Sequence, residues 1–204
     1  MKHTLIKMCG LRREEDAEAV NELRPEYIGF VFFPGSRRYV APEAARRVKA
    51  KLDPGIRAVG VFVDEDAETV ARLLEEGVID LAQLHGHEDE TYLTGLRKRT
   101  GKPLIRAFRI GSAEDTLRAQ DSAADMILLD AGAGDGKAFD WRWLREVSRP
   151  YFLAGGLTPE NVSRAVRELK PYGVDVSSGI ETDGFKDREK MRAFVRAVRE
   201  AEKA

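Results

Sequence analysis

Short apolar or β-branched runs alternate along this chain with longer segments whose apolar residues recur at helical spacing. The runs Leu5–Met8, Tyr27–Phe32, Arg57–Val63, Leu81–Leu84, Leu104–Phe108, Met126–Leu129, Tyr151–Leu153 and Val174–Val176 read as eight strands. Between them the 3.6-residue period takes over. In Thr158–Lys170, Val162, Ala165, Val166 and Leu169 fall on one helical face, with Pro159 in the first turn and Thr158 ahead of it as a cap. The last segment repeats the spacing with Met191, Phe194, Val195 and Val198. Pro42 opens an earlier helix whose buried stripe includes Ala45, Val48 and Leu52, while Asp89–Thr100 and Ala113–Ala119 are read as helices from their place in the alternation.

Strict alternation implies parallel strands covered by helices, because each crossover returns to the same edge of the sheet. Several strands are apolar throughout, as burial on both faces requires. Eight units of about 25 residues sit at the short end of what a closed barrel needs. A doubly wound sheet would carry a glycine fingerprint after its first strand, and Met8-Cys9-Gly10-Leu11-Arg12 is not one. The expected architecture is one α/β domain over residues 1–204, a (β/α)8 TIM barrel with short loops.

Composition narrows the function classes. The 204 residues carry 34 basic and 35 acidic side chains, so the balance of −1 argues against a nucleic-acid footprint or an anionic-membrane surface. No apolar run approaches the length of a membrane span, and one cysteine excludes an internal disulfide or a multi-cysteine zinc cage. A cytoplasmic protein is expected. The three histidines have too few neighbouring ligands for a metal site, and neither metal nor cofactor is assigned.

In such a barrel the chemistry belongs at the C-terminal strand ends. These ends carry Cys9; Arg37 and Arg38; Asp64; His85; Asp130; and two small-residue turns, Ala154-Gly155-Gly156-Leu157 and Ser177-Ser178-Gly179-Ile180. Small residues after strands seven and eight let backbone N–H groups converge on an anion, aided by the helix opening near Thr158-Pro159, so a phosphorylated small molecule is expected there. One isolated Gly-Gly would signify only a tight turn; two such turns at the expected strands favour the anion. Cys9 is either a small buried apolar residue or a nucleophile or base, and a nearby cation such as Lys7 would enlarge its thiolate fraction. Asp130, ending a buried strand, is either a cap or a carboxylic acid whose desolvation equips it to donate a proton. Arg37 or Arg38 supplies a fork for a substrate carboxylate, unless both are solvated.

At these residues the chain resembles the phosphoribosylanthranilate isomerase family of tryptophan biosynthesis. The resemblance runs in order through Lys7-Met8-Cys9-Gly10, Gly29-Phe30-Val31-Phe32 with Pro34, Ser36, Arg38 and Tyr39, and Gly60-Val61-Phe62-Val63. It continues through Gln83-Leu84-His85-Gly86, Leu128-Leu129-Asp130, Gly136-Lys137, Phe139-Asp140-Trp141 and Ala154-Gly155-Gly156-Leu157. It ends with Val174-Asp175-Val176-Ser177-Ser178-Gly179-Ile180-Glu181, Gly184 and Lys186-Asp187. It implies Cys9 as general base, Asp130 as general acid, Arg38 as clamp for the anthranilate carboxylate, and Gly155, Gly156, Ser177, Ser178 and Gly179 as phosphate cradle. Lys7, His85 and Asp175 complete the implied pocket. The implied reaction is an Amadori rearrangement without cofactor, in a monomer or homodimer. Other sugar-phosphate barrels or a catalytically silent phosphate-binding barrel are the competing readings, and retention of both Cys9 and Asp130 weighs against them. Two departures stand out: Met8 replaces an isoleucine-like residue, and the loop 131–137 is shortened, with Asp135 where the family has a small hydroxyl residue. An added carboxylate near an anionic substrate costs binding unless it points away or pairs with Lys137 or an arginine.

Overall fold

In the computed structural model of the chain, residues 3–130 and 141–203 are described. Eight parallel strands close into a barrel in sequence order: β1 Leu5–Cys9, β2 Tyr27–Val31, β3 Arg57–Phe62, β4 Leu81–Leu84, β5 Leu104–Arg109, β6 Met126–Asp130, β7 Tyr151–Ala154 and β8 Gly173–Val176. All eight coincide with the sequence-derived runs to within a residue or two at each end. Closure comes from β8 pairing with β1, where Lys7 stands opposite Asp175.

The two-residue period of each strand sorts side chains between two environments. Inward positions build a plug of Tyr27, Val59, Leu81, Ile105, Leu128 and Phe152, with the Tyr27 and Phe152 rings edge to face at 5.6 Å. Nearer the C-terminal ends this gives way to a small cluster of Cys9, Val31 and Val61. Outward positions such as Ile6, Met8, Phe30 and Phe62 join the main core beneath the helices. The plug closes the barrel below, so a ligand has access only from the C-terminal mouth.

The helices are α1 Glu14–Leu23, α2 Pro42–Lys49, α3 Ala67–Glu75, α4 Glu90–Arg97, α5 Ala113–Gln120, α6 Val162–Leu169 and α7 Arg188–Ala201. Pro42 does open α2, and Ala45 and Val48 are buried, but Leu52 lies past the helix and only packs against the core. In α7, Met191, Phe194 and Val198 are fully buried, with Val195 at their margin. The helix expected from Thr158 begins at Val162 instead. Residues 158–161 form a turn in which the Asn161 carboxamide accepts from the Thr158 N–H at 2.8 Å and donates to the Gly156 carbonyl at 2.9 Å. That side-chain bridge satisfies backbone groups that a first helical turn would leave open, so the helix starts later. The described part of the sixth crossover is a 3-10 helix, Trp141–Glu146. After β8 a second 3-10 turn, Ser178–Ile180, leads into a two-stranded hairpin, β9 Glu181–Thr182 and β10 Phe185–Lys186. Among the described residues no helix is long and apolar enough to cross a membrane.

Candidate active site

The C-terminal ends of the strands enclose a mouth of about 360 Å³ whose walls include Cys9, Ser36, Arg38, Gln83, His85, Asp130, Asp175, Ser177 and Ser178, with the Ala154–Leu157 turn. Of the residues singled out in the sequence, Cys9, Arg38, His85, Asp130, Gly155, Gly156, Asp175, Ser177 and Ser178 meet here. Lys7 and Gly179 stand directly behind this wall. Asp64 does not join them: it pairs with His87 at 2.9 Å beside the mouth and is held at a positive φ of 52°. Residues 131–137, Asp135 included, and the strings Gly136-Lys137 and Phe139-Asp140 lie outside the described residues.

Lys7 and Cys9 are two residues apart on β1 and so share its inner face. The Lys7 ammonium is completely buried and meets the Asp175 carboxylate at 2.9 Å across the β1–β8 seam. A buried ammonium without a counter-ion would cost several kcal/mol. Burial pulls the Lys7 pKa down, yet Asp175 and Cys9 outweigh it and hold the group above the ordinary lysine value, so it stays charged. For Cys9 the balance falls the other way. Burial pushes the thiol pKa up, Lys7 and Lys186 pull it down without cancelling that rise, and Asp175 adds to it. The neighbouring cation does favour the thiolate, as expected, but desolvation is the larger effect and the net shift is upward. The Ser177 hydroxyl fixes the base of the site by donating to the Cys9 carbonyl at 3.1 Å.

Asp130 ends β6 in a half-buried position, with the His85 Nε2 atom 3.5 Å from its Oδ2. The far side of the same ring is held by Gln83, whose Nε2 lies 3.0 Å from His85 Nδ1. An amide N–H donating to Nδ1 leaves the imidazole proton on Nε2, directed at the Asp130 carboxylate. Gln83 is buried, and its Oε1 has no hydrogen-bond partner among the described residues. Sequence reasoning gave Gln83 no role, although the two-residue strand period already put it on the face of His85.

The two neighbouring arginines differ in direction. Arg37 is exposed, whereas Arg38 reaches into the mouth. Its stem crosses Gly10 so closely that a Cβ there would meet Arg38 Cδ at 2.6 Å, and Gly10 has a φ of 87°, so both space and backbone demand glycine. Arg38 Nε and Nη2 donate to the two Glu181 carboxylate oxygens at 2.8 Å each. Lys186 lies 2.7 Å from the same carboxylate and also donates to the Ser177 carbonyl at 3.0 Å. Glu181 and Lys186 were not assigned a role from sequence. The usable signal was Asp183-Gly184, both at positive φ, the dipeptide that closes a tight hairpin and brings positions 181 and 186 side by side.

The two glycine turns touch. A Cβ on Gly179 would meet the Leu157 carbonyl oxygen at 1.9 Å, so the loops after β7 and β8 pack backbone to backbone. Gly155 and Gly156 take φ values of 97° and 65°, which side chains resist. Asn161, through its bond to the Gly156 carbonyl, braces this turn where the expected helix end does not. Both turns, with Ser177 and Ser178, line the mouth on the same side as Cys9.

Comparison with known proteins shows what the chain is similar to. A family model described as N-(5'phosphoribosyl)anthranilate (PRA) isomerase matches residues 6–197. The N-(5'-phosphoribosyl)anthranilate isomerase of Endomicrobium trichonymphae is 44% identical over 199 residues, covering 95% of this chain and 98% of that protein. The crystal structure of phosphoribosyl anthranilate isomerase from Thermotoga maritima superposes with a TM-score of 0.89 at 35% identity, over 97% and 99% of the two chains. A phosphoribosyl anthranilate isomerase solved in complex with reduced 1-(o-carboxyphenylamino)-1-deoxyribulose 5-phosphate gives a TM-score of 0.86 at the same identity and coverage. With a family model, relatives and a barrel fold that match over nearly the whole length, the chain belongs to the N-(5'-phosphoribosyl)anthranilate isomerase family.

Proposed function

We propose that this chain isomerises N-(5'-phosphoribosyl)anthranilate to 1-(2-carboxyphenylamino)-1-deoxyribulose 5-phosphate, with Cys9 and Asp130 dividing the proton transfers. The single observation that carries the assignment of roles is convergence. A buried thiol, a carboxyl group, an arginine and two anion-sized turns line one mouth of about 360 Å³. The substrate has two anionic ends, a phosphate and an aromatic carboxylate. Gly155, Gly156, Ser177, Ser178 and Gly179 receive the phosphate through N–H and hydroxyl donors. Arg38 receives the carboxylate through its fork. Fixing both ends suspends the ribose between β1 and β6.

Asp130, protonated, gives its proton to the ring oxygen as the C1′–O bond breaks, leaving an open-chain Schiff base. His85, beside Asp130, orients that carboxyl group. The Cys9 thiolate then removes the proton from C2′, and the electrons move into the imine to give an enolamine, which tautomerises to the ketone. Lys7 acts behind Cys9: its charge lowers the energy of the thiolate at the moment it forms. Asp175 keeps Lys7 charged and correctly placed.

The reading is tested by growth. In cells lacking this isomerase the chain should restore growth without tryptophan, and the Cys9→Ala and Asp130→Ala chains, expressed to the same level, should not. Failure of the unaltered, well-expressed chain to restore growth would sink the assignment. Arg38→Ala should raise KM about tenfold or more with a smaller change in kcat, the pattern of a lost charge-assisted binding contact.

A further inference from the structure

The guanidinium of Arg38 is already engaged, and the way it is engaged bears on what it can bind. Glu181 occupies the Nε and Nη2 edge in a bidentate pair. A guanidinium has five N–H donors, so the end-on edge, both Nη1 hydrogens and the second Nη2 hydrogen, keeps a complete fork for another carboxylate. Orientation is thus supplied, but at an electrostatic cost. An arginine paired with a glutamate is neutral as a unit and has little long-range attraction for a second anion.

Lys186 restores the charge. Its side chain is 1% exposed and its ammonium sits 2.7 Å from the Glu181 carboxylate. Arg38, Glu181 and Lys186 together carry one net positive charge. The carrier of the last two is the β9–β10 hairpin, and it is fixed to the barrel. Arg12 donates to the Gly184 carbonyl, Arg13 to the Lys186 carbonyl at 3.2 Å, and both guanidinium groups lie over the Phe185 ring at 4.9 and 4.7 Å. Lys190 adds a bond to the Glu181 carbonyl at 2.8 Å. A hairpin tied down at four points is a rigid platform for two charges rather than a loose loop.

We propose that the β9–β10 hairpin is the device that makes Arg38 selective for a carboxylate-bearing aromatic substrate: Glu181 is a positioning residue that sets the guanidinium edge-on to the mouth, and Lys186 is a positioning residue that cancels the Glu181 charge so that Arg38 meets the substrate as a net cation. The proposal rests on the assignment of Arg38 as the carboxylate clamp.

The experiment measures competitive inhibition by two ligands, reduced 1-(o-carboxyphenylamino)-1-deoxyribulose 5-phosphate and its phenylamino counterpart lacking the carboxylate. The unaltered protein should bind the first at least about tenfold more tightly, the scale of one charge-assisted pair. Lys186→Met should erase most of that preference by weakening the carboxylate ligand about tenfold while leaving the phenylamino ligand within about twofold. The Glu181→Gln/Lys186→Met double variant keeps the net charge and buries no unpaired ion, so it should retain the preference to within about threefold. Equal weakening of both ligands, or a double variant as indiscriminate as Lys186→Met, would overturn the proposal. Arg38→Ala separates the two claims: if it leaves the preference intact, the clamp lies elsewhere and the parent assignment fails, whereas loss of preference in Arg38→Ala with none in Lys186→Met condemns the hairpin's role alone.

Discussion

A thiol two residues from a buried ammonium stands under opposing influences, and at Cys9 their order of size decides the chemistry. Desolvation raises its pKa and Lys7 lowers it by less, so the net shift disfavours the thiolate that the proposed mechanism uses as base. The sign for a variant follows directly. Lys7→Met deletes a lowering influence and leaves the Asp175 carboxylate, a raising one, so the thiol pKa must rise further. The ascending limb of log kcat/KM against pH should move to higher pH and the rate at pH 7 should fall. A limb that stays where it was in the unaltered protein would mean that Cys9 is not the ionising base. At this scale the sequence revealed who is present and not what state they are in. The meeting of Cys9, Asp130 and Arg38 at one mouth was legible because the C-terminal strand ends of a barrel share one face. The direction of the thiol shift was not, because it depends on how much water the plug and the mouth exclude and on Asp175, 166 positions farther along the chain.

Among elements, the loops after β7 and β8 act as one unit. The Gly179 backbone rests against the Leu157 carbonyl, with no room for a methyl group. Gly179→Ala must therefore separate the two turns proposed to hold the phosphate, and the expected result is a loss of about tenfold or more in affinity for inorganic phosphate as a competitive inhibitor, with a lowered melting temperature. Unchanged phosphate inhibition would remove these turns from the phosphate site. The two small-residue turns were readable, but what braces them was not. An expected helix opening at Thr158 begins instead at Val162, and Asn161 takes over the bracing by bonding to both Thr158 and Gly156. Residues of turn type compete with helix starts through side-chain bonds to backbone, and local spacing cannot say which prevails. The β9–β10 hairpin went unread for a simpler reason: two-residue strands have no periodicity, and only Asp183-Gly184 marks them.

Across the whole molecule, the alternation of apolar runs and helical stripes was enough to give the closed parallel barrel, because inward and outward faces of every strand are both buried and each crossover must return to the same edge. The near-neutral total of −1 conceals a sharply divided interior. Lys7, Arg38 and Lys186 gather around the thiol, and Asp175 and Glu181 offset two of them. This suits the mouth to the proposed substrate with its two anionic ends, while other charges form ion pairs on the outer helices, such as Arg72 with Glu76 and Arg164 with Glu168. The central claim is that these groups carry out one isomerisation. Its most direct test is to generate phosphoribosylanthranilate in situ and follow its consumption by the purified protein. Turnover should occur without added cofactor, and Cys9→Ser and Asp130→Asn, each folded, should lower kcat at least about 10²-fold. A folded, unaltered protein that leaves the substrate untouched, or variants that turn it over at the original rate, would contradict the account.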